Sequence, residues 1–527
     1  MLELIPTIEL GLVATAVAIG AKYLRLPYTV ALVVAGLGLG VSRVLDLSLS
    51  KELILVLFLP PLLFEGALHM DLDGLRRHAR AIGLLAVVGT LLSAFLIGVI
   101  ARLVLGLDWP YAFLLGVILS PTDPVSVLAM FKEYGVPKGL QTVLEGESVF
   151  NDGLGIVAYL IVLGVVGGEG FSPAGASLEF VRVALGGAAV GLGSGYLAYR
   201  LLGRLDDHLL EVMISLLLAY GSYSLAEAFH LSGVMAVAGA GLIIGNYGTV
   251  YSMSPTTRLS LVNFWSVAAF LVNSAVFLLI GLDFDATRLP GNLAAISVAI
   301  LAMLVSRAVV VYGLVPLANR LGPPSSRVPL AWMHVLNWGG LRGSIPIALV
   351  LGLSPAVREV ALPTAGADFH FPTVVFGVVL FSLLVQGLTI KPLLARLGLS
   401  GAGPHQLEYE TRLAQTIALG AGLEEVQRLR SRGEIGPELF EHTVTELGGE
   451  RATAMAELER LSRAFPKLQS TQTERLHRSL GSAEKAAVIE AARQGLIGEE
   501  AAAAVSERVD AALELGQRPS FSPEPGD

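Results

Sequence analysis

The chain has 527 residues, of which 54% are hydrophobic and only 15% are charged, whereas a soluble globular protein carries about 25% charged residues. Its formal net charge of −8 gives no support to nucleic-acid binding. The absence of cysteine excludes disulfide bonds and thiolate metal sites.

Charged residues are concentrated at the C-terminal end of the chain. Residues 401–527 contain 14 Lys or Arg and 21 Asp or Glu, while long apolar segments fill the first 400 residues. We therefore predict a transmembrane domain over residues 1–400 and a cytoplasmic, regulatory helical tail over residues 401–527. Residues 516–527 are rich in Pro, Ser and Gly and are expected to be disordered.

The apolar segments predict an all-α polytopic membrane protein. A helix needs about 20 mostly apolar residues to cross the hydrocarbon layer. Thirteen segments fit, near residues 5–24, 28–45, 51–70, 81–106, 110–131, 141–167, 177–202, 208–228, 231–250, 260–282, 292–318, 328–353 and 372–397. Basic residues between them favour the side that holds the tail, which predicts an external N-terminus in a cell membrane, of a prokaryotic inner-membrane type.

Polar groups lie deep in the third and fifth segments. Glu65 follows a Pro-Pro pair, and it could contact a transported ion or bond to backbone groups that those prolines release. In the fifth segment, Thr122 and Asp123 lie between Pro121 and Pro124. Because each proline disfavours helix at the preceding residue, Thr122 and Asp123 are expected in an unwound stretch with carbonyls available as ligands.

The sixth segment, EGESVFNDGLGIVAY, carries the densest polar set. Glu147 and Asn151 are four residues apart, as are Ser148 and Asp152, so the four share about one helix face. Their hard oxygen donors suit hard cations. Ser148 could instead satisfy a neighbouring carbonyl, whereas no structural role explains Asp152 beside Asn151 within a membrane, and we predict an ion or proton site there.

The later segments carry fewer polar groups. Asn273 is expected to join helices, and Arg307 and Arg342 to belong to structural ion pairs. Glycines and Pro346 interrupt the twelfth segment as the prolines interrupt the fifth, which indicates two inverted six-helix repeats with broken crossing helices. Asp123 can compensate the positive ends of these half-helices, and Arg342 the negative ends.

Three motifs, SPTDPVSV, GESVFNDG and GGLRGSI, resemble those of the monovalent cation/proton antiporters. The closer similarity is to the Asn-Asp branch, which includes bacterial NhaP-type antiporters and animal sodium/proton exchangers. It runs in order over nearly all of residues 1–397. The resemblance implies a homodimer in which each chain has a six-helix core domain beside a dimerisation domain.

The resemblance also implies roles for individual residues. Asp152 would be the carboxylate that binds the proton or the monovalent cation, with Asn151 replacing a second Asp of the electrogenic branch. Thr122 and Asp123 match the crossing helix, and Ser148 and Glu65 match positions that bind or frame the ion. Thr122, Asp123 and Ser148 would bind the monovalent cation together with Asp152. Glu147 would pair with Arg307. With Glu147 held ionised, Asp152 alone exchanges its ligand, which implies electroneutral 1:1 exchange of Na⁺, or of Li⁺ or K⁺, for H⁺.

Alternatives remain open at this point. A K⁺/H⁺ antiporter of the same fold and a non-transporting ion sensor or channel-like protein both fit the residues. An intramembrane aspartyl protease would be expected to show Gly-x-Gly-Asp, which does not occur, and a secondary transporter rather than an enzyme is expected. We expect no cofactor. In the tail, RSRGEIGPELFEHTV (430–444) and ARQGLIGEEAAAAV (492–505) are alike and predict two helix–turn–helix units, which either bind an unknown regulator or form a solvated extension.

Overall fold

The fold is taken from a computed structural model. It describes residues 4–24, 28–42, 53–361, 368–399 and 404–464, apart from positions 124, 169, 171, 206, 283 and 285, and scattered positions between 480 and 509. The predicted disordered segment at 516–527 and most of the second tail unit at 492–505 lie outside the described residues. Contacts divide the chain into two units, Met1–Ser400 and Gly401–Asp527.

Helices make up almost all of the first unit. They are α1 (Leu4–Leu24), α2 (Tyr28–Ser42), α3 (Leu59–His69), α4 (Leu72–Arg77), α5 (Ala79–Gly83), α6 (Thr90–Ile100), α7 (Trp109–Leu119), α8 (Val125–Tyr134), α9 (Lys138–Val166), α10 (Pro173–Leu202), α11 (His208–Ala228), α12 (Gly233–Ile243), α13 (Pro255–Leu282), α14 (Leu289–Leu321), α15 (Leu330–Trp338), α16 (Ser344–Leu351), α17 (Pro355–Arg358), α18 (Phe371–Phe381) and α19 (Gly387–Arg396). Wider π-helical turns extend several of them, at Leu53–Phe58, Leu84–Gly89, Ala101–Leu105, Ile244–Ser252 and Ser382–Gln386.

Seven helices in the described part of the chain are long and apolar enough to cross a membrane. They are Ala79–Leu105, Lys138–Val166, Pro173–Leu202, His208–Ala228, Thr257–Leu282, Leu289–Leu321 and Phe371–Arg396. Five shorter apolar helices accompany them, at Gly11–Ala21, Tyr28–Gly40, Ile54–His69, Trp109–Leu119 and Gly233–Thr249. The chain is thus a mostly helical, multi-pass membrane protein, while the count of thirteen spans stays a prediction.

Two pairs of short helices meet where their chains unwind. α7 ends at Leu119 and α8 begins at Val125, while α15 ends at Trp338 and α16 begins at Ser344. The two unwound stretches contact each other, because the Asp123 amide donates to the Leu341 carbonyl at 2.8 Å. A β-carbon added at Gly343 would lie 1.8 Å from Asp123 Oδ2, so only glycine lets that carboxylate reach the start of α16.

Small residues allow close helix packing elsewhere in the unit. Gly191 on α10 lies against the backbone of α12, where an added β-carbon would be 2.0 Å from the Ala236 carbonyl oxygen. Membrane helices use such residues because dispersion contacts, not hydrophobic burial, drive their association. The all-α prediction missed a short hairpin, in which β1 (Glu359–Ala361) pairs antiparallel with β2 (Asp368–His370).

The second unit contains two long helices among its described residues, α20 (Pro404–Ser431) and α21 (Pro437–Ala464). The turn between them includes Gly433, whose φ of 73° suits glycine. An Arg412–Glu457 ion pair at 2.5 Å joins the two helices. This hairpin coincides with the first of the two similar tail stretches, at residues 430–444.

Candidate functional site

Helix α9 carries a buried polar face at its middle. Glu147 and Asn151 are each 1% exposed, Ser148 is 4% exposed and Asp152 is 8% exposed. Their spacing of four residues puts them on successive turns of one face. Glycines on the same helix permit close neighbours, so that a polar cluster is packed tightly inside the membrane domain.

The unwound stretch at Thr122 is held directly on this face. Asn151 Nδ2 donates to Thr122 Oγ1 at 2.7 Å, and the Thr122 amide donates to Asn151 Oδ1 at 3.3 Å. Ser148 Oγ donates to the Thr122 carbonyl at 2.7 Å. These bonds satisfy backbone groups that the broken helix leaves open, and they fix the crossing stretch beside Asp152.

The carboxylate of Asp152 is different from its neighbours. Its Oδ1 is buried and has no hydrogen-bond partner within the described residues. Buried polar atoms in proteins almost always have a partner, so an unsatisfied carboxylate oxygen points to a ligand, a proton or water at that position. The candidate site is therefore centred on the Asp152 carboxylate.

Asp152 opens into a cavity of about 320 Å³. Oxygen-bearing side chains supply much of its polar lining, and four of them are carboxylates. The polar lining residues are Glu65, His69, Asp123, Glu145, Ser148, Asp152, Ser266, Asn273 and Ser344. The structure thus brings Asp152, Asp123, Ser148 and Glu65 to one space that could hold a cation, while Asn151 and Thr122 bond to each other behind its wall.

Glu65 is held from the same helix by His69. Nδ1 of His69 lies 2.9 Å from the Glu65 carbonyl oxygen and 3.3 Å from Glu65 Oε1. Both oxygens accept, so Nδ1 carries the hydrogen. The side chains remain 25% and 33% exposed, which leaves the Glu65 carboxylate accessible from the cavity.

Glu147 does not face this cavity but pairs with an arginine. The two guanidinium nitrogens of Arg307 contact its two carboxylate oxygens, with the Nη2–Oε2 distance at 2.9 Å. Arg307 also donates to the Leu336 carbonyl at 2.8 Å. The bidentate contact and the added carbonyl bond compensate two charges that are both almost fully buried.

Arg342 lies at the ends of the broken helices. Its Nε donates to the carbonyl of Leu119, the last residue of α7, at 2.6 Å, and its Nη1 donates to the Gly340 carbonyl at 2.9 Å, just after α15. Carbonyls at helix C-termini carry partial negative charge, which a buried cation stabilises. Asp123 lies at the opposite, positive end, beside the start of α16.

Sequence reasoning missed three polar residues of the cavity. His69 could have been found, because it lies one helical turn after Glu65 on the same face. Ser266 and Ser344 gave no signal, since serine is common in membrane helices and their exposure to the cavity depends on how distant helices pack. Glu145, at the start of the same polar segment of α9, also lines the cavity and accepts a hydrogen bond from Gln141 at 2.8 Å.

Comparison with known proteins decides the family. The family model for the transmembrane region of the sodium/hydrogen exchangers matches residues 10–396. The chain belongs to the sodium/hydrogen exchanger family. Membership in this family of exchangers identifies a membrane transporter and not an enzyme.

Individual relatives agree with this assignment. The chain is 38% identical over 521 residues to the Na⁺/H⁺ antiporter NhaG of Bacillus atrophaeus, covering 95% of this chain and 96% of that one. It is 37% identical over 478 residues to the Na⁺/H⁺ antiporter ApNhaP of Aphanothece halophytica, covering 89% and 88%. The solved sodium proton antiporter MjNhaP1 of Methanocaldococcus jannaschii shares the fold, with a TM-score of 0.59 and 22% identity over 76% of this chain and 99% of that chain.

Proposed function

We propose that this protein exchanges one monovalent cation, Na⁺ in the first place, for one proton across the cell membrane. The observation that carries the proposal is the unsatisfied Oδ1 of Asp152 at the wall of a cavity rich in oxygen ligands. The relatives named as Na⁺/H⁺ antiporters support Na⁺ as the cation. The exchange would need no resident cofactor.

Asp152 would bind either ligand. A proton or a cation each neutralises its carboxylate, and Ser148, Asp123 and Glu65 would supply further oxygens to the cation. Asn151 and Thr122 contribute by holding the unwound stretch in place, as their mutual bonds suggest. An empty, charged site would cross the membrane poorly because of the cost of an unpaired charge there, and this cost couples the two fluxes.

The 1:1 ratio follows from the state of the second acid on α9. Glu147 contacts Arg307 through both of its carboxylate oxygens, and in the proposed cycle this ion pair does not change. Only Asp152 then changes its ligand, so a full cycle moves no net charge. Alternating access would come from motion of a core domain with two inverted six-helix repeats against a dimerisation domain, in a homodimer of thirteen-span subunits whose tails face the cytoplasm and could bind a regulator.

The test is proton flux in proteoliposomes. A pH gradient is imposed, and Na⁺, Li⁺ or K⁺ salts are added in turn to wild type and to Asp152→Asn. We expect Na⁺-dependent collapse of the gradient in wild type and none in the folded variant, because an amide cannot exchange a proton for a cation. Asp108→Asn is the matched control, since Asp108 is 74% exposed and pairs with Arg102 away from the cavity.

Each outcome has a definite meaning. Exchange that persists in Asp152→Asn contradicts the assignment of the site. No collapse with any of the three cations, from folded wild-type protein, contradicts antiport and leaves an ion sensor or channel. Collapse with K⁺ but not Na⁺ would keep the mechanism and change the cation.

A further inference from the structure

Helix α13 also lines the Asp152 cavity and contributes polar side chains to it. Ser266 and Asn273 are seven residues apart, which is about two helical turns, so they lie on one face. Ala269 and Phe270 lie between them on that face, and all four residues line the cavity. The wall formed by α13 is therefore neutral, while α9, α3 and the crossing stretch supply the acids.

The Asn273 side chain makes no hydrogen bond to any residue that the structure describes, and it is half-buried. Its neighbour Ser274 behaves differently, since it bonds to the Tyr28 hydroxyl and to the Phe270 carbonyl. An asparagine that joins membrane helices would bond across to the next helix. An amide without such a bond is costly in hydrocarbon, and the cost disappears where the amide meets water or an ion.

The chemistry of the cavity gives the amide a purpose. A small hard cation that leaves water needs several oxygen ligands, and neutral amide and hydroxyl oxygens supply them as well as carboxylates do. A neutral ligand adds to the coordination shell without changing the charge of the site. It can therefore tune the preference between cations while the ratio of cation to proton stays the same, because that ratio depends on the acids.

We propose that Asn273 Oδ1 is a neutral ligand of the transported cation in this cavity, with Ser266 as a further oxygen two turns nearer to the start of α13. The inference rests on the proposed exchange function and extends it from Asp152 to cation selectivity. It replaces the sequence-based expectation that Asn273 joins helices. It assigns part of the site to a helix whose sequence carries none of the three motifs.

The experiment measures cation/proton exchange in proteoliposomes, with the cation added on one side of the membrane, for Asn273→Leu, Asn273→Gln and Ser274→Ala. Leu resembles Asn273 in its branched shape but has no oxygen, Gln keeps an amide oxygen, and Ser274→Ala removes a hydroxyl from the same helix that bonds outside the cavity. Initial rates are recorded against the concentrations of Na⁺ and Li⁺, with thermal stability in detergent as a second readout. Asn273→Ala, which also lacks a side-chain oxygen, replaces Asn273→Leu if that variant does not fold.

We expect Asn273→Leu to raise the KM for Na⁺ about tenfold, with a different change for Li⁺. The maximal rate should stay within about twofold, since Asp152 still exchanges its ligand. The Asn273→Gln variant should recover much of the affinity for Na⁺, and Ser274→Ala should leave the KM values for Na⁺ and Li⁺ unchanged.

Two results would overturn the assignment. One is an unchanged KM for both cations in folded Asn273→Leu, and the other is an equal KM change in Ser274→Ala, which would indicate a general effect of helix packing. Wild-type protein without cation-dependent exchange would instead contradict the proposed function itself, so the two failures can be told apart.

Discussion

At the scale of single residues, one buried pair of opposite charges joins α9 to α14. A second buried carboxylate on α9 has an oxygen that no described residue contacts through a hydrogen bond. Glu147 and Arg307 satisfy each other, whereas Asp152 Oδ1 has no protein partner in the described part of the chain. The difference distinguishes a fully paired acid from the carboxylate, only five residues away, that the proposed cycle would use for exchange. It also makes the two acids respond differently to substitution.

Removing one member of the buried pair should destabilise the protein strongly. We expect Glu147→Gln to cost about 3–5 kcal/mol, because it leaves the Arg307 guanidinium buried without a counter-charge. Thermal denaturation in detergent measures the loss. The double variant Glu147→Leu with Arg307→Met should be more stable than either single variant, and a loss equal to the sum of both would show that the charges do not act as a pair.

His78 gives a pH-dependent contribution just before the span that begins at Ala79. Burial lowers the pKa of its imidazole, a bond to the Gly74 carbonyl at 3.2 Å partly offsets this, and the charge of Arg77 lowers the pKa further. As the pH falls, His78 in the unfolded chain therefore binds a proton at a higher pH than His78 in the folded chain. The free energy of unfolding thus decreases below the usual histidine pKa of about 6.5.

The measurement compares the melting temperatures of wild type and His78→Gln between about pH 7.5 and pH 5.5. Wild type should lose more stability over this range than the variant, whose side chain does not titrate. Parallel losses in the two proteins would show that His78 does not contribute.

At the scale of elements, the sequence predicted the interruptions better than the contacts. The prolines around Thr122 and the glycines after Trp338 identify both unwound stretches, because these residues disfavour helix whatever surrounds them. Likewise α11 ends at Ala228 and α12 begins at Gly233, which agrees with the separate segments predicted at 208–228 and 231–250. The β hairpin and the exposure of Ser266, Asn273 and His69 to one cavity depend on distant packing, which one-dimensional patterns do not contain.

Close contact between α10 and α12 leads to a test with an internal control. Gly191→Ala should destabilise the protein by about 1–3 kcal/mol, because the new methyl group would overlap the Ala236 carbonyl. Gly193→Ala on the same helix should be neutral or slightly stabilising, since nothing lies within 4 Å of its β-carbon position. Thermal unfolding of both variants tests this prediction. Equal stabilities of Gly191→Ala and Gly193→Ala would contradict the close packing of α10 against α12.

At the scale of the whole molecule, the net charge moved in each transport cycle depends on which acids bind and release a proton or a cation. We expect the initial rate of exchange to be independent of membrane potential, because the proposed cycle exchanges one proton for one monovalent cation. Moving a net charge across the membrane is worth about 2.3 kcal/mol per 100 mV, so an electrogenic cycle would respond strongly. Rates measured with the potential held at zero and then inside-negative distinguish the two, and a several-fold change would contradict the 1:1 ratio.

The function could be predicted at this scale because the three motifs lie in one order across most of the chain, as the family match over residues 10–396 agrees. The burial of Asp152 in the middle of an apolar helix agrees with the sequence prediction, while its role as the ion or proton site stays a prediction. The tail was predictable only as helical. Its surface is solvated along α20 and α21, and such patterns do not specify a partner.

The bond between Glu147 and Arg307 also limits what the cell can gain from this protein. In the proposed 1:1 cycle, in which Glu147 takes no part, the voltage across the membrane does no work on the exchange. A difference of one pH unit then balances a cation ratio of about ten, since both are worth about 1.4 kcal/mol. The cation concentration ratio across the membrane could then not exceed the proton concentration ratio. Such a carrier could expel salt in a cell that maintains a pH difference, but not in a cell that stores its energy only as a membrane potential.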